Sequence, residues 1–255
     1  MVRYLLLVQY DGTLFSGYQR QKNKRTVQGE LEGAAEKITG LPTRVTASGR
    51  TDAGVHAQGQ VCQLDADITV PAERLAACFN ALLPADVKVL ASACAPEGFD
   101  CTRGAKSKTY LYCAYYAPTQ LPLLDRYAVR LKQKPDAERM RSAAALLIGE
   151  HDFAAFRASG YTSKTSIRTI YDIQIIEKTE NGHTMYEVSV SGNGFLYNMV
   201  RIIAGELVSI GCGKGTSNLV QALKTGERNL LARTMPAAGL TMKEVDYGMP
   251  LFGSR

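Results

Sequence analysis

The chain has no tryptophan and only three histidines in 255 residues, which leaves little material for histidine-based metal sites or triads. Its six cysteines, Cys62, Cys78, Cys94, Cys101, Cys113 and Cys212, form no C-x-x-C pair, and no histidine lies near them at ligand spacing. That argues against a zinc site and for reduced thiols that are buried or half-buried. Apolar runs such as Leu5 to Val8 are far short of the roughly 20 residues that a bilayer span needs. The N-terminus lacks the layout of a signal peptide. A cytoplasmic protein without membrane contact is therefore expected. There is no Walker A motif and no G-x-S-x-G elbow, and Gly192-Asn193-Gly194 lacks the third glycine of a dinucleotide fingerprint.

What is present describes a folded protein. Hydrophobic residues make up 45% and charged residues 21%, and the length suits one large domain or two of ordinary size. The net charge is +6, which favours a polyanionic partner. Positive charge is also clustered. Arg20, Lys22, Lys24 and Arg25 share one loop, Lys106 and Lys108 bracket Ser107, and Lys164 and Arg168 close a Ser/Thr-rich stretch.

Taken in order, Val2 to Tyr10 reads as a buried strand ending at Asp11-Gly12. Thr26 reads as the N-cap of an amphipathic helix carrying Val27, Leu31, Ala34, Ala35 and Ile38, stopped by Gly40. Strands are expected over 44–47, 58–64, 87–93 and 108–114, with a helix from Pro71 to Pro84 between the second and third. Asp136 caps a third helix. Two strands, 167–178 and 185–190, flank the hairpin signal Asn181-Gly182. A fourth helix is expected from about Phe195 to Ile210, a fifth capped by Ser217, and a closing strand over 240–247. Segment 160–166 reads as a mobile loop, and the proline-bearing segment 117–125 is a candidate for a domain change. Strands and helices mix without strict alternation, so the expected fold is α+β with largely antiparallel sheets. The expected division is into halves 1–105 and 106–255.

Ala47-Ser48-Gly49-Arg50-Thr51-Asp52-Ala53-Gly54-Val55-His56-Ala57 holds two glycines, an arginine, an aspartate and a histidine within eleven residues. It reads either as a surface turn capped by Asp52 or as a loop that positions a carboxylate. A glycosidase needs two placed carboxylates, and this stretch offers one. A single carboxylate with a cation nearby stays ionised even when partly desolvated. It then suits attack on an electrophilic carbon or stabilisation of positive charge. Candidate cations are Arg50, Arg103 and Arg201, the last a charge on an otherwise apolar helix. Tyr110 is a candidate stacking residue on its strand.

The stretch Gly49 to Ala57 resembles the active-site signature of the TruA family of tRNA pseudouridine synthases. The likeness extends over almost the whole chain. It takes in Tyr10-Asp11-Gly12-Thr13 with Phe15, Gly17 and Gln19, and Thr26-Val27-Gln28. It continues through Lys106, Lys108, Tyr110 and Tyr112, then Phe195-Leu196 with Met199-Val200-Arg201 and Gly205, and ends with Gly239-Leu240, Val245 and Tyr247. Tyr18 departs from it, standing where the family often has tryptophan; both are amphipathic aromatics.

The resemblance implies conversion of uridine to pseudouridine at positions 38, 39 and 40 of the tRNA anticodon arm, without metal or organic cofactor. It implies that Asp52 is the essential catalytic residue, that Tyr110 stacks on the target base, with proton transfer as a second catalytic role open to it, and that Arg201 pairs with the aspartate. It also implies two similar halves meeting at a basic cleft, in a homodimer. Arg50, His56, Arg20, Lys22, Phe99, Arg103, Lys106, Lys108 and Lys164 are the expected substrate-binding residues, with loop support as the other role open to Arg50 and His56. The glycines of the signature are expected to let the backbone approach a flipped nucleotide. The residues leave open whether Asp52 bonds to C1′ or C6 or assists elimination to a glycal. The rival readings are a non-catalytic tRNA-binding or RNA-folding protein on the same scaffold, and a synthase with another RNA target.

Overall fold

The computed structural model of the chain describes residues 1–158, 165–180 and 182–253. Lys164 and most of the expected 160–166 loop lie outside these residues, as does Asn181. The chain folds as two compact units, Met1–Ser107 with Thr241–Arg255, and Lys108–Leu240. The break falls at Ser107/Lys108 rather than in the proline-bearing 117–125 segment. The last segment clusters with the first unit, whereas the sequence assigns it to the second half. The strand Leu240–Asp246 pairs in parallel with the strand that follows the Asp52 loop, Thr241 opposite His56 and Met242 opposite Ala57. Tyr247 then donates a hydrogen bond to the Cys101 carbonyl at 2.7 Å.

The first unit is built on a mostly antiparallel sheet. Strand β1 (Val2–Tyr10) is its centre because apolar residues point to both faces. Leu5, Leu6 and Val8 are fully buried. β1 pairs on one edge with β3 (His56–Ala66) and on the other with β4 (Val87–Cys94). The short β2 (Thr46–Ala47) pairs with β3, Thr46 opposite Gln63. Helix α1 (Val27–Thr39) starts where Thr26 accepts the Gly29 N–H and ends at Gly40, φ 73°, as its sequence signals require. Helix α2 (Leu75–Leu82) is shorter than expected, since Ala72–Arg74 forms a tighter turn before it; it packs on β4 and on α1. Leu7, Val61, Cys101, Val245, Tyr247 and Phe252 close a second cluster in the same unit.

The second unit is also a mostly antiparallel sheet with helices. β5 (Ser107–Tyr116) pairs with β9 (His183–Gly192), which pairs with β8 (Ile167–Glu180), which pairs with β7 (Gly149–Asp152). A short β6 (Val129–Leu131) runs parallel to β5. Helix α3 (Ala137–Ala144) is capped by Asp136, whose carboxylate accepts the Glu138 and Arg139 N–H groups. It packs on helix α4 (Met199–Gly211) and on β8. Helix α5 (Ser217–Thr225) starts one residue earlier than a Ser217 cap allows, with Thr216 at the cap position. α4 starts at Met199, not near Phe195. Asn198 takes a left-handed φ of 62°, which ends the extended approach and leaves Phe195 free to pack on Tyr110. All six cysteines are free thiols, but Cys94 and Cys212 are exposed rather than buried.

Candidate active site

Between β2 and β3 the chain leaves the sheet. The Asp52 carbonyl accepts the Val55 N–H at 3.1 Å, closing a four-residue turn. Gly54 sits at its third position with φ 78°, the conformation a type II turn demands there. The backbone therefore gives Gly54 a conformational reason. The close approaches belong to glycines of the preceding loop. A Cβ at Gly12 would lie 2.0 Å from the Val55 carbonyl oxygen, and one at Gly17 would lie 2.9 Å from that of Thr51. Loop 11–18 is thus laid backbone to backbone on loop 51–55. Two hydrogen bonds join them, Tyr18 N–H to the Thr51 carbonyl (3.0 Å) and Gly54 N–H to the Phe15 carbonyl (3.4 Å).

In this frame Thr51 is buried, Asp52 half-buried and Arg50 exposed. His56 is 3% exposed. Its Nδ1 accepts the Gly12 N–H at 3.0 Å and lies 3.2 Å from Asp11 Oδ1, which also accepts the Thr13 N–H and hydroxyl. The ring is a pillar between the two loops. Below it, the Tyr10 hydroxyl is 2.7 Å from that of Thr51. Ser48 donates to Gln60 Oε1 (2.6 Å), and Gln60 Nε2 donates to the Gly49 carbonyl (2.7 Å). Burial pushes the Tyr10 phenol up, against the pull of its hydrogen bond with Thr51.

The basic loop 20–25 divides by role. Lys22 and Lys24 are exposed, and Arg20 holds Glu32 at 2.9 Å while its side chain stays 71% exposed. Arg25 turns inward. It forks onto Asp86 (2.7 and 2.8 Å), reaches Glu30 (2.8 Å) and lies 4.2 Å over the Phe15 ring. Its hydrogen bond holds the Asp86 carboxyl below the ordinary aspartate range. Arg103 and Lys106 are exposed. The turn beneath Arg103 is made by Asp100, which accepts the Thr102 and Arg103 N–H groups at 2.8 and 2.9 Å. Phe99 packs against Tyr247, ring centres 5.1 Å apart, as part of a core cluster.

In the second unit, β5 turns Tyr110 and Tyr112 to its buried face, while Lys108 is half-buried. Tyr110 meets the edge of Phe195 at 5.2 Å, nearly perpendicular. Arg201, on the first turn of α4, gives Nε to the Met235 carbonyl (2.7 Å) and a terminal nitrogen to Asn198 Oδ1 (2.6 Å). The Met235 N–H returns to the Arg201 carbonyl at 3.2 Å. Tyr112 donates to the adjacent Pro236 carbonyl at 2.9 Å. Tyr112 and Arg201 are thus tied to a shared segment, Met235–Pro236. Segment 232–235 lies tight on α4, since a Cβ on Gly205 would sit 2.4 Å from the Arg233 carbonyl oxygen. Glu206, fully buried, accepts the Ala232 N–H at 2.6 Å and meets Lys214 at 3.2 Å.

Sequence reasoning missed Gln60, Ser48, Asn198 and Glu206. Only Glu206 carried a usable signal, being a charge on an apolar helix, the same feature that singled out Arg201. The first unit gathers Asp52, Arg50 and His56 on one loop and sets the loop bearing Arg20 and Lys22 against it. The second gathers Tyr110, Arg201 and Lys108. Chemically, the first supplies a half-buried carboxylate on a rigid turn, and the second a fixed guanidinium and an aromatic ring.

Comparison with known proteins bears on both units. The family model described as tRNA pseudouridine synthase matches residues 6–102 and 143–248. The chain is 43% identical to tRNA pseudouridine synthase A of Shouchella clausii, over 99% of this chain and 96% of that one. It is 42% identical to the protein of that name from Halalkalibacterium halodurans, over 94% and 90%. With the protein of that name from Ruminiclostridium cellulolyticum it shares 38% identity, over 97% and 100%. A match of this extent, running through the Asp52 loop in one unit and helix α4 in the other, makes the chain a member of the tRNA pseudouridine synthase family.

Proposed function

We propose that the chain isomerises uridine to pseudouridine in tRNA, at positions 38, 39 and 40 of the anticodon arm. The observation that carries this is the family match through both units. The reaction breaks the bond from N1 to C1′, turns the uracil and joins C5 to C1′. C5 loses its proton and N1 gains one, so no atom is added or removed overall. Asp52 is the catalytic carboxylate. A target base in or beside a duplex must be flipped out, which costs a few kcal/mol. Tyr110 stacks on the flipped base, an interaction of about 1–3 kcal/mol per base. Arg201 pairs with Asp52 and keeps it ionised.

Arg50, Arg20, Lys22, Arg103, Lys106, Lys108 and Lys164 contact phosphates, which positions the arm without reading its sequence. The net charge of +6 supports that role. His56 and Phe99 act from within the fold, as loop support. The enzyme works in the cytoplasm as a homodimer, with the carboxylate loop in one half of each chain and the tyrosine strand and arginine helix in the other.

Tritium release from tRNA labelled at C5 of uridine tests the reading. The wild-type chain is expected to release tritium. Asp52→Asn is expected to abolish release and keep tRNA affinity within about tenfold, or about 1.4 kcal/mol. Binding without release by the wild type would replace the enzyme with a tRNA-binding protein. Release from sites outside the anticodon arm would redirect it to another target.

A further inference from the structure

Gln60 is the least expected polar group in the first unit. It lies on β3 and is 0% exposed. A buried amide is tolerated only where its hydrogen bonds are made, and here they are made to one loop. Oε1 accepts the Ser48 hydroxyl at 2.6 Å, and Nε2 donates to the Gly49 carbonyl at 2.7 Å. The same loop is held a second time by the Tyr10 hydroxyl, 2.7 Å from that of Thr51. Gln60 and Tyr10 between them hold residues 48, 49 and 51. These are three of the four residues that precede Asp52.

The directions of these bonds are forced. A carbonyl at Gly49 can only accept, so Nε2 must face it and Oε1 must face Ser48. A flipped amide would set two oxygens against each other. The strand beneath is equally fixed. β3 is paired with β1 along one side and with β2 and β10 (Leu240–Asp246) along the other. At Gly59 it touches the Lys243 carbonyl so closely that a Cβ would be 2.7 Å away. Gln60 transfers that rigidity to a loop that otherwise leaves the sheet.

We propose that Gln60, together with Tyr10, is a positioning residue for the isomerisation, setting the height and direction of the Asp52 carboxylate without touching substrate. This rests on the reading of Asp52 as the catalytic carboxylate. Its physical content is that a displacement of about 1 Å at a reacting group costs on the order of 100-fold in rate. Filling the same space with other chemistry therefore harms turnover more than folding or binding.

The test compares Gln60→Glu, which keeps the shape and loses both donors, Gln60→Met, which keeps the volume and loses all polarity, and Tyr10→Phe, which deletes one oxygen. For each, kcat and KM for tritium release, tRNA Kd and the thermal midpoint are measured. Expected is a fall in kcat of about 10- to 100-fold in protein that remains folded, with KM and Kd within about threefold of wild type. The double variant Tyr10→Phe/Gln60→Met is expected to be no slower than the worse single variant, because both act by holding the same loop.

A folded variant with kcat within twofold of wild type overturns the proposal, as does a loss confined to KM or a multiplicative double variant. If the Gln60 variants fail to fold, Tyr10→Phe alone decides by the same criteria. Wild type and Asp52→Asn run in parallel. Active wild type, inactive Asp52→Asn and unimpaired Tyr10→Phe would sink this inference and leave the proposed function standing, whereas inactive wild type would sink the function itself.

Discussion

The Asp52 loop and the start of helix α4 solve the same problem by different means. Each must fix one charged side chain on chain that is not part of a sheet. The Asp52 loop is held by neutral groups: backbone bonds to loop 11–18, the Gln60 amide, and the Tyr10 and Thr51 hydroxyls. The α4 element is held largely by charge, with Arg201 on the Met235 carbonyl and Glu206 on the Ala232 N–H and Lys214. Both depend on a glycine that admits a backbone oxygen, Gly12 in one and Gly205 in the other. Neutral holding fixes the loop through its backbone, an amide and two hydroxyls. Holding by charge suits a cation whose position matters as much as its sign.

The comparison can be broken most forcefully at Gly12. A Cβ 2.0 Å from the Val55 oxygen has no side chain to push aside, only backbone. Gly12→Ala is expected to destabilise the protein by about 3 kcal/mol, read from the denaturant midpoint, and to lower turnover in whatever remains folded. A normal midpoint would mean the two loops are not in contact.

Next comes the charged element. Glu206→Ala strands the Ala232 N–H and leaves Lys214 without its carboxylate. The Lys214 side chain is 29% exposed, so the loss is expected near the lower end for a broken buried pair, about 2–3 kcal/mol. Glu206→Gln, which retains an acceptor for Ala232, should lose less. Equal losses would show that the charge, not the hydrogen bond, holds segment 232–235.

The smallest effect is expected at Arg25, the one cation of the basic loop that turned inward. Arg25→Gln leaves Asp86 without its fork, for about 1–2 kcal/mol at neutral pH. The Asp86 carboxyl is depressed in the folded state. Its pairing therefore contributes fully above the unfolded aspartate value, near about 3.9, and is lost as pH falls through the lower folded value. The stability gap between wild type and Arg25→Gln should be constant from pH 7 to 5 and narrow below about pH 4. A gap that persists at pH 2 would assign Arg25 to its contact with the Phe15 ring rather than to Asp86.

Much of this molecule was legible before its structure. The caps at Thr26 and Asp136, the stop at Gly40 and most of the strands follow from local rules of backbone geometry and periodicity. The start of α4 was misread because apolar spacing continues back to Phe195, whereas a single left-handed residue, Asn198, ends the helix. The burial of His56 and the packing of Phe99 on Tyr247 were not legible, because a histidine or an aromatic in a loop has the same spelling whether it faces water or the core. Asp52 was singled out by the company it keeps in the sequence.

What the sequence alone determined was the inventory: α+β elements, a signature loop with one carboxylate, an excess of positive charge, and the family to which these belong. Tertiary structure decided which polar residues are used internally. Arg25, His56, Gln60 and Glu206 are each tied down by a partner 11 to 61 positions away. The return of Thr241–Arg255 to the first unit belongs to the same class. Burial and partner choice depend on chain segments that meet only on folding, and local periodicity carries no record of them.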